Sequence, residues 1–528
     1  MFTQCLEPLF RLAPEILSAQ PRMSSMHPAH NLGDLLDRSL PADKVALIDC
    51  VNWEQPREYT HGEIDRLANA CARGLLARGL RRGDSVAILS ANRAEFLIAY
   101  FGTMRAGLVS VPVNYKFPRD TVDFVLRDCA AKLVLCDDPR RELVPHDIAA
   151  VSFDDSGGYG AMLDPGPFEA VHPQGDETAM VLYTSGSTGR PKGVPLSHRA
   201  HLWGVKARLS GAGLDRHRLL VAAPLFHMNG LGTSKFAFAA HASIVLLPQF
   251  DTRRYIEAIG RFGVTWLTAV PTMMAMVSRE KALLAATDIS SVKLVRMGSA
   301  PVTQKLIDNV KAEFPGAVVS IVYGTTEAGA VMFGAHPDGR AKPDLALGWP
   351  QPGVEVRILN AEGQEADEGV LHIRTPAMMR GYLNLPEKTR SVLSEDGWYF
   401  SGDIFRRDAA GAYWFVGRAD DMFVCGGENI FPGEVESMLE RHPDIMQSCV
   451  VPVPDELKHE KPFAFVIRRS GSALDEASVK RYALEHAPAY QHPRQVVFLD
   501  EFPLAGTDKV DRKALAELAR SHWQAAAV

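Results

Sequence analysis

A chain of 528 residues is too long for one hydrophobic core and implies two or three domains. Its 46% hydrophobic and 23% charged residues are those of an ordinary soluble globular protein. A formal net charge of −6 offers no global attraction to nucleic acid or to an anionic membrane. Seven scattered cysteines without a C-x-x-C pair fit the reducing cytoplasm rather than a disulfide framework or zinc site. No apolar run reaches the roughly eighteen residues of a membrane span.

Residues 1–30 read as a flexible extension. Glu7 and Glu15 are acidic, Arg11 and Arg22 are isolated, and prolines interrupt any apolar region, unlike a signal or transit peptide. From Tyr59 the chain alternates helix and strand patterns. Ile64, Leu67, Ala68, Cys71, Leu75 and Leu76 share one helical face, and a strand follows over Ser85–Ser90. A helix over Ala94–Ala106, a strand over Leu108–Val113, a helix near Asp120–Arg127 and a strand over Lys132–Cys136 come next. From about 178 the pattern repeats, with strands starting at Thr178, Leu219, Ser243, Trp266, Leu294 and Val318. Strands spaced by single helices predict right-handed βαβ units and a mostly parallel α/β sheet. Residues 346–418 instead hold short β runs divided by Gly, Pro, Asn and Asp, which predicts a small β subdomain. The remainder mixes short strands with helices near 432–441, 477–486 and 512–524. It is expected to be a separate, smaller and mobile α+β domain, giving units of 31–419 and 420–528.

The stretch Tyr183-Thr-Ser-Gly-Ser-Thr-Gly-Arg-Pro-Lys-Gly-Val194 is suited to a polyphosphate. Gly186, Gly189 and Gly193 let backbone N–H groups approach an anion at φ > 0, Thr184, Ser185, Ser187 and Thr188 supply hydroxyls, and Lys192 adds charge. It follows a buried strand, as ligand loops of α/β sheets do, yet it is not a P-loop, because Pro191 precedes Lys192 and Gly193 follows it. Five further segments stand out: Ala223-Pro-Leu-Phe-His-Met-Asn-Gly230, Tyr323-Gly-Thr-Thr-Glu-Ala-Gly329, Trp398-Tyr-Phe-Ser-Gly-Asp403, Gly417-Arg-Ala-Asp-Asp421 and Pro503-Leu-Ala-Gly-Thr-Asp-Lys-Val510.

In this order and spacing, over roughly Leu32–Leu515, these segments resemble the adenylate-forming superfamily of acyl-CoA synthetases, luciferases and peptide-synthetase adenylation domains. The resemblance implies that ATP, CoA and a small carboxylic acid are the partners, with Mg²⁺ as cofactor. The 184–192 loop would hold the β- and γ-phosphates, Glu327 would place Mg²⁺, and Thr326 would reach the α-phosphate. Tyr323, with Gly324 and Thr325, would face adenine, and Ser299, Ala300 and Pro301 would form the opposite wall. Asp403 would accept the ribose hydroxyls, Arg418 would add a fixed donor fork, and Lys509 would bridge the carboxylate and the α-phosphate. For the second half-reaction, the resemblance implies a C-terminal domain that turns about Asp420, withdraws Lys509 and brings Gly426 and Gly427 to the pantetheine arm. His227 would gate the acyl pocket, lined by Met228, Met273, Gly298, Ala300, Gly324, Ala330 and Val331.

Five positions depart from the family's pattern. Asp508 and His459 stand where Gly is usual, Ser401 replaces Thr, and Met422-Phe423 replace Ile-Lys. Cys425 reads as a small buried residue rather than a nucleophile. The set favours an AMP-forming acid–CoA ligase; a stand-alone adenylation enzyme loading a carrier protein and a non-catalytic nucleotide-binding scaffold are the alternatives. His227-Met228-Asn229 at the position of an ammonium-holding Asp argues against amino acids. A pocket of small apolar residues with no second cation favours a medium-chain or aromatic monocarboxylate. A homodimer is left open.

Overall fold

The computed structural model describes residues 29–184, 190–209, 213–329, 331–455 and 457–525. Within them the βαβ pattern builds two sheets. One has six strands, ordered Ala150–Ser152, Ala131–Cys136, Ser85–Leu89, Val109–Pro112, Thr178–Thr184 and Lys192–Ser197. The other has seven, ordered Val318–Val322, Leu294–Gly298, Trp266–Ala269, Arg218–Val221, Ser243–Leu246, Val45–Asp49 and Arg57–Thr60. Each is parallel except for its last pair. The central parallel strands are buried on both faces, which is why Val86–Leu89 and Leu219–Val221 read as unbroken apolar runs.

The sheets do not follow chain order. Val45–Asp49 precedes the first sheet in sequence but pairs with Ser243–Leu246 in the second. Thr178–Thr184 opens the second sequence repeat but pairs with Val109–Pro112 in the first. Helix His61–Ala77 begins at a capping box, in which Thr60 accepts from the Glu63 N–H and the Glu63 carboxylate accepts from the Thr60 N–H. It buries Ile64, Ala68, Cys71 and Leu75 of the face that its spacing predicts, while Leu67 is half-buried and Leu76, at the helix end, is exposed.

Residues Glu355–Arg418 form a four-stranded antiparallel sheet in simple chain order, Glu355–Leu359, Glu368–Arg374, Tyr399–Arg407 and Tyr413–Arg418. Beyond it, Ile445–Asp455 and His459–Arg468 make a long hairpin joined by Phe423–Cys425, Glu428–Ile430 and Gln495–Phe498. Helices Pro432–Leu439 and Glu476–His486 pack with it around their own apolar cluster of Val435, Leu439, Val450, Val466 and Val479. Arg512–Ala525 covers its other face through Leu515 and Ala519.

This last unit is held to the larger one by polar contacts. Lys305 Nζ donates to the His442 carbonyl at 3.0 Å, Arg279 Nη2 to Gln447 Oε1 at 2.7 Å, and Lys116 pairs with Asp508 at 2.9 Å. None of these is an apolar core contact. No helix among the described residues is long and apolar enough to cross a membrane.

Candidate active site

The carboxyl ends of neighbouring parallel strands converge on one cavity of about 1230 Å³, lined from both units. Tyr323–Gly329 leaves strand Val318–Val322, Ser299–Pro301 leaves Leu294–Gly298, and His227 follows Arg218–Val221. Thr184 ends the fifth strand of the other sheet. This is where open α/β sheets bind ligands, because the loops leaving adjacent strands splay apart there. Tyr323, Gly324, Thr325, Thr326, Glu327, Ser299, Ala300, Pro301, Thr184, Lys192, Asp403, Arg418, Asp420, His227 and Lys509 all line it.

Antiparallel register places the acid and the fork. Asp403 on Tyr399–Arg407 lies directly opposite Arg418 on Tyr413–Arg418, and Arg418 Nη1 meets Asp403 Oδ1 at 3.2 Å. The Tyr323 hydroxyl donates to the other carboxylate oxygen, Oδ2. Tyr323 is itself set by ring packing on Phe405, with centroids 4.9 Å apart. Asp403 is only 4% exposed; burial raises its pKa and the Arg418 charge opposes that. Ser401 supports the strand bend by donating to the Leu371 carbonyl at 2.7 Å and accepting from the Asp403 N–H at 3.0 Å, as the usual Thr hydroxyl could. Lys509 enters from a tight hairpin in which Ala505 N–H donates to the Lys509 carbonyl at 2.7 Å. Burial and then Arg418 push its pKa down to about 8, with Asp403 opposing.

At the phosphate end, Glu327 accepts from the Tyr382 hydroxyl at 2.9 Å, and Lys192 Nζ lies 4.5 Å from the centre of the Tyr382 ring. Burial lowers the Lys192 pKa, against the attraction of Glu327. Tyr382 belongs to no recognisable motif. It is brought here because Met379 N–H donates to the Glu327 carbonyl at 2.7 Å and Leu383 N–H to the Gly193 carbonyl at 2.8 Å. Gly193 itself departs from expectation: it does not take a positive φ. It is glycine because a Cβ would sit 3.1 Å from both Leu383 and the Tyr183 ring. Ser185, Gly186, Ser187, Thr188 and Gly189 lie outside the described residues, as does Ala330. Thr184 Oγ1 is buried with no partner among the described residues, which suits a phosphate acceptor.

The acyl side is where the sequence reading needs correction. Met228, Gly298, Ala300, Gly324 and Val331 line the cavity, but Met273 does not; it is 1% exposed and packed in the core under helix Pro271–Val277. Nor is the wall apolar. Arg208, Asn229, Thr233, Thr268 and Arg296 also line it. The expectation of no second cation therefore fails, because two guanidiniums from separate chain segments fold into the same wall. His227 caps helix Met228–Ala239, its Nδ1 accepting from Asn229 N–H at 3.3 Å. Burial and the Lys509 charge lower its pKa to about 3, so the ring is neutral and carries its proton on Nε2.

Gly426 (φ 64°) and Gly427 (φ 92°) turn the hairpin between Phe423–Cys425 and Glu428–Ile430, and neither lines the cavity in this arrangement. Cys425 is buried, 1% exposed. Asp508 and His459, which replace glycines, keep the left-handed backbone at φ 59° and 64°. That costs a side-chain-bearing residue about 1–2 kcal/mol, least for Asp and Asn. Asp508 gains a compensating partner in Lys116, across the joint between the two units.

The model of the AMP-binding enzyme family matches residues 37–383, and that of the AMP-binding enzyme C-terminal domain matches residues 434–509. The chain belongs to the AMP-binding enzymes. It is 31% identical over 499 residues to 4-coumarate–CoA ligase 5 of Oryza sativa subsp. japonica, covering 90% of this chain and 91% of the relative. It is 30% identical over 483 residues to the fatty acid–[acyl-carrier-protein] ligase ScoC of Streptomyces coeruleorubidus, covering 87% and 92%. Among solved structures, the anthranilate CoA ligase AuaEII in complex with anthranoyl-AMP superposes with a TM-score of 0.85 at 28% identity, covering 94% of this chain and 98% of that one. This AMP-binding enzyme is thus an AMP-forming acid ligase of the adenylate-forming superfamily.

The Lys116–Asp508 pair holds the Lys509 hairpin against the larger unit. A partly exposed pair contributes about 0.2–1 kcal/mol, up to about fivefold in an equilibrium. Asp508→Asn tolerates the same backbone without the charge. It and Lys116→Met are expected to lower acid-dependent ATP–pyrophosphate exchange by about two- to fivefold, with no further loss in the double variant. Additive losses would show that the two residues act separately.

Proposed function

We propose that this enzyme joins a medium-chain or aromatic carboxylic acid to CoA in two steps on one cavity. A carboxylate oxygen attacks the α-phosphorus of ATP, forming acyl-adenylate and expelling pyrophosphate. The CoA sulfur, having lost its proton, then attacks the acyl carbon and AMP leaves. The observation that carries this reading is the convergence of Lys509 with Arg418, Asp403, Glu327 and Lys192 on a single cavity. Two anions must meet in the first step, and these cations neutralise the charge that gathers on the α-phosphate.

Placement around the cavity supports the following roles. Asp403 accepts the ribose hydroxyls, with the Arg418 charge beside it opposing the effect of burial, and the Tyr323 ring offers a face to adenine while its hydroxyl orients Asp403. Thr326 and Lys509 reach the α-phosphate; Thr184, Lys192 and the loop between them take the β- and γ-phosphates. No cluster of three or more His, Cys, Asp or Glu side chains suited to a metal occurs among the described residues. Glu327 alone fits Mg²⁺, an ion that commonly uses one or two carboxylates and completes its shell with phosphate oxygens and water. When bound, the ion would neutralise phosphate charge. His227, neutral and with Nε2–H free of the cap, orients the substrate carboxylate without adding a counter-charge that would quench its nucleophilicity.

CoA as the acyl acceptor is favoured by the likeness to 4-coumarate–CoA ligase 5 and to AuaEII. Lys509 occupies the cavity while Gly426 and Gly427 stand outside it, an arrangement suited to adenylation. For transfer, the C-terminal unit turns about Asp420, breaking polar contacts rather than a core, and presents the glycine hairpin to pantetheine. The likeness to ScoC makes a carrier-protein thiol the second reading, and substituting a phosphopantetheinylated carrier for CoA separates the two.

With ATP, Mg²⁺, CoA and acid, the products should be acyl-CoA, AMP and pyrophosphate; ADP and phosphate would place attack at the γ-phosphate and overturn the reading. Lys509→Ala should abolish pyrophosphate release from acid and ATP by about two to three orders of magnitude, as loss of a transition-state charge contact does. It should still convert supplied acyl-adenylate and CoA to product, whereas equal loss in both steps would remove the turning-domain assignment.

The same lysine sets a pH limb. Its folded pKa near 8 lies below the ordinary 10.5, so the ammonium is present below pH 8 and lost above it. The kcat/KM for adenylation, which reports the free enzyme, is expected to fall above about pH 8 by roughly tenfold per unit. Lys509→Arg should remove that limb; its persistence would assign the titration to another group.

A further inference from the structure

The far end of the acyl side of the cavity is cationic without an internal counter-charge. Arg296 sits in the middle of strand Leu294–Gly298, where its neighbours Val295 and Met297 are buried, and it faces the cavity with Gly298. Thr268 is its register partner on the adjacent strand and faces the same way. Arg208 approaches from the turn after helix His198–Lys206, its Nη1 donating to the Gly232 carbonyl at 3.3 Å. Each guanidinium is laid on a ring that fixes its plane, Arg296 over Trp266 at 4.8 Å and Arg208 over Phe236 at 4.9 Å.

Neither has an acidic partner among the described residues. Arg296 Nε and Nη1 and Arg208 Nε are buried donors with nothing to donate to. Behind Arg208 lies Lys235, 1% exposed, whose Nζ meets His201 Nδ1 at 3.1 Å rather than a carboxylate. Burial and the Arg296 charge bring Arg208 down to about 9, and burial brings Arg296 down to about 10. Desolvated cations without a counter-ion are destabilising, and fully buried donors are normally satisfied. Thr268 and Asn229 add hydroxyl and amide groups beside them, Thr268 Oγ1 donating to Asn229 Oδ1 at 3.0 Å. A hydrocarbon chain or bare ring leaves Arg296 Nε and Nη1 and Arg208 Nε unpaired.

We infer that the substrate is a carboxylic acid bearing a second anionic group, a carboxylate or a sulfonate, received by Arg208 and Arg296 while the first carboxylate meets ATP. This rests on the acid-ligase reading above and narrows its substrate class. Two arginines supply the planar, multi-donor fork that matches such an oxyanion. Spacing sets the length. Arg208 meets the helix at Gly232, five residues beyond the His227 cap, or roughly 7–8 Å along the axis. Oxalate- and malonate-sized acids are too short to span that distance. Diacids with about four to six carbons between the carboxyls, or with a para-disubstituted ring, have the right order of length.

The test is acid-dependent ATP–pyrophosphate exchange with matched pairs, adipate against hexanoate and benzene-1,4-dicarboxylate against 4-methylbenzoate. The wild-type kcat/KM should favour the dianion by about tenfold or more, the scale of a charge-assisted hydrogen-bonded contact. Arg296→Met and Arg208→Met should each reduce the dianion's kcat/KM by about tenfold, mainly through KM, and leave the monoanion within about threefold. Arg296→Lys should recover part of the loss. Melting curves should show Arg296→Met at least as stable as wild type, since it removes a part-buried guanidinium whose Nε and Nη1 have no partner among the described residues. Preference for the monoanions in the wild type, or equal losses for both members of a pair, would overturn the proposal while leaving the ligase reading intact. Exchange with no acid at all would sink the ligase reading instead. The pocket would then be judged by thermal shift, where stabilisation by adipate but not hexanoate supports the anion site and equal shifts refute it.

Discussion

The Asp403–Arg418 pair is the joint on which the catalytic side of this enzyme depends. It exists because two antiparallel strands run in a register that sets the residues opposite one another, before any ligand is present. The acid fixes the Tyr323 hydroxyl, and through that ring the loop that carries Thr326 and Glu327. The guanidinium sits beside Lys509 and, with burial, lowers its affinity for a proton. Arg418 is also the residue just before the turn to the C-terminal unit. One ion pair therefore couples the Tyr323 loop, Lys509 and the point from which the second unit departs.

Charge is distributed unevenly around the cavity, and the pattern is informative. On the nucleotide side each cation has a nearby acid: Arg418 with Asp403, Lys192 attracted by Glu327. These pairs set an acid beside each of these cations. On the acyl side the cations face one another with no acid among the described residues. A folded protein carries that cost where something arriving later removes it.

The links between the two units differ in kind from the cores within them. Val435, Leu439 and Val450 hold the C-terminal unit together by burial, and the hairpin bearing Lys509 rests on Lys116 through a part-exposed ion pair. Polar contacts exchange readily for water, so an arrangement built on them can be left and regained. Asp508 shows how a residue unusual for its backbone is kept: its left-handed conformation costs energy, and the ion pair offsets part of it only when the hairpin is docked.

Periodicity along the chain was enough to place most helices and parallel strands, because burial on one helical face or on both faces of a strand leaves a local signature. The loops carrying Glu327, Asp403, Arg418 and Lys509 stood out only together, through the resemblance of their order and spacing to the adenylate-forming superfamily, since each alone is a weak signal. Pairing between distant segments was not legible. Nothing local says that Val45–Asp49 completes the second sheet or that Thr178–Thr184 joins the first, because strand partners are chosen by packing across the whole domain. Tyr382 had no motif and reaches Glu327 only through backbone hydrogen bonds to two other loops. Arg296 did leave a sign, a lone arginine inside an apolar strand, but its meaning required knowing which face of the sheet looks into the cavity. By itself the sequence determined the fold class and marked the loops that meet at the cavity, because periodicity and motif are properties of short segments. Only tertiary structure decided that Met273 is core, that Arg208 and Arg296 share a wall, and that Asp508 has a partner, because each depends on residues brought together from far apart in the chain.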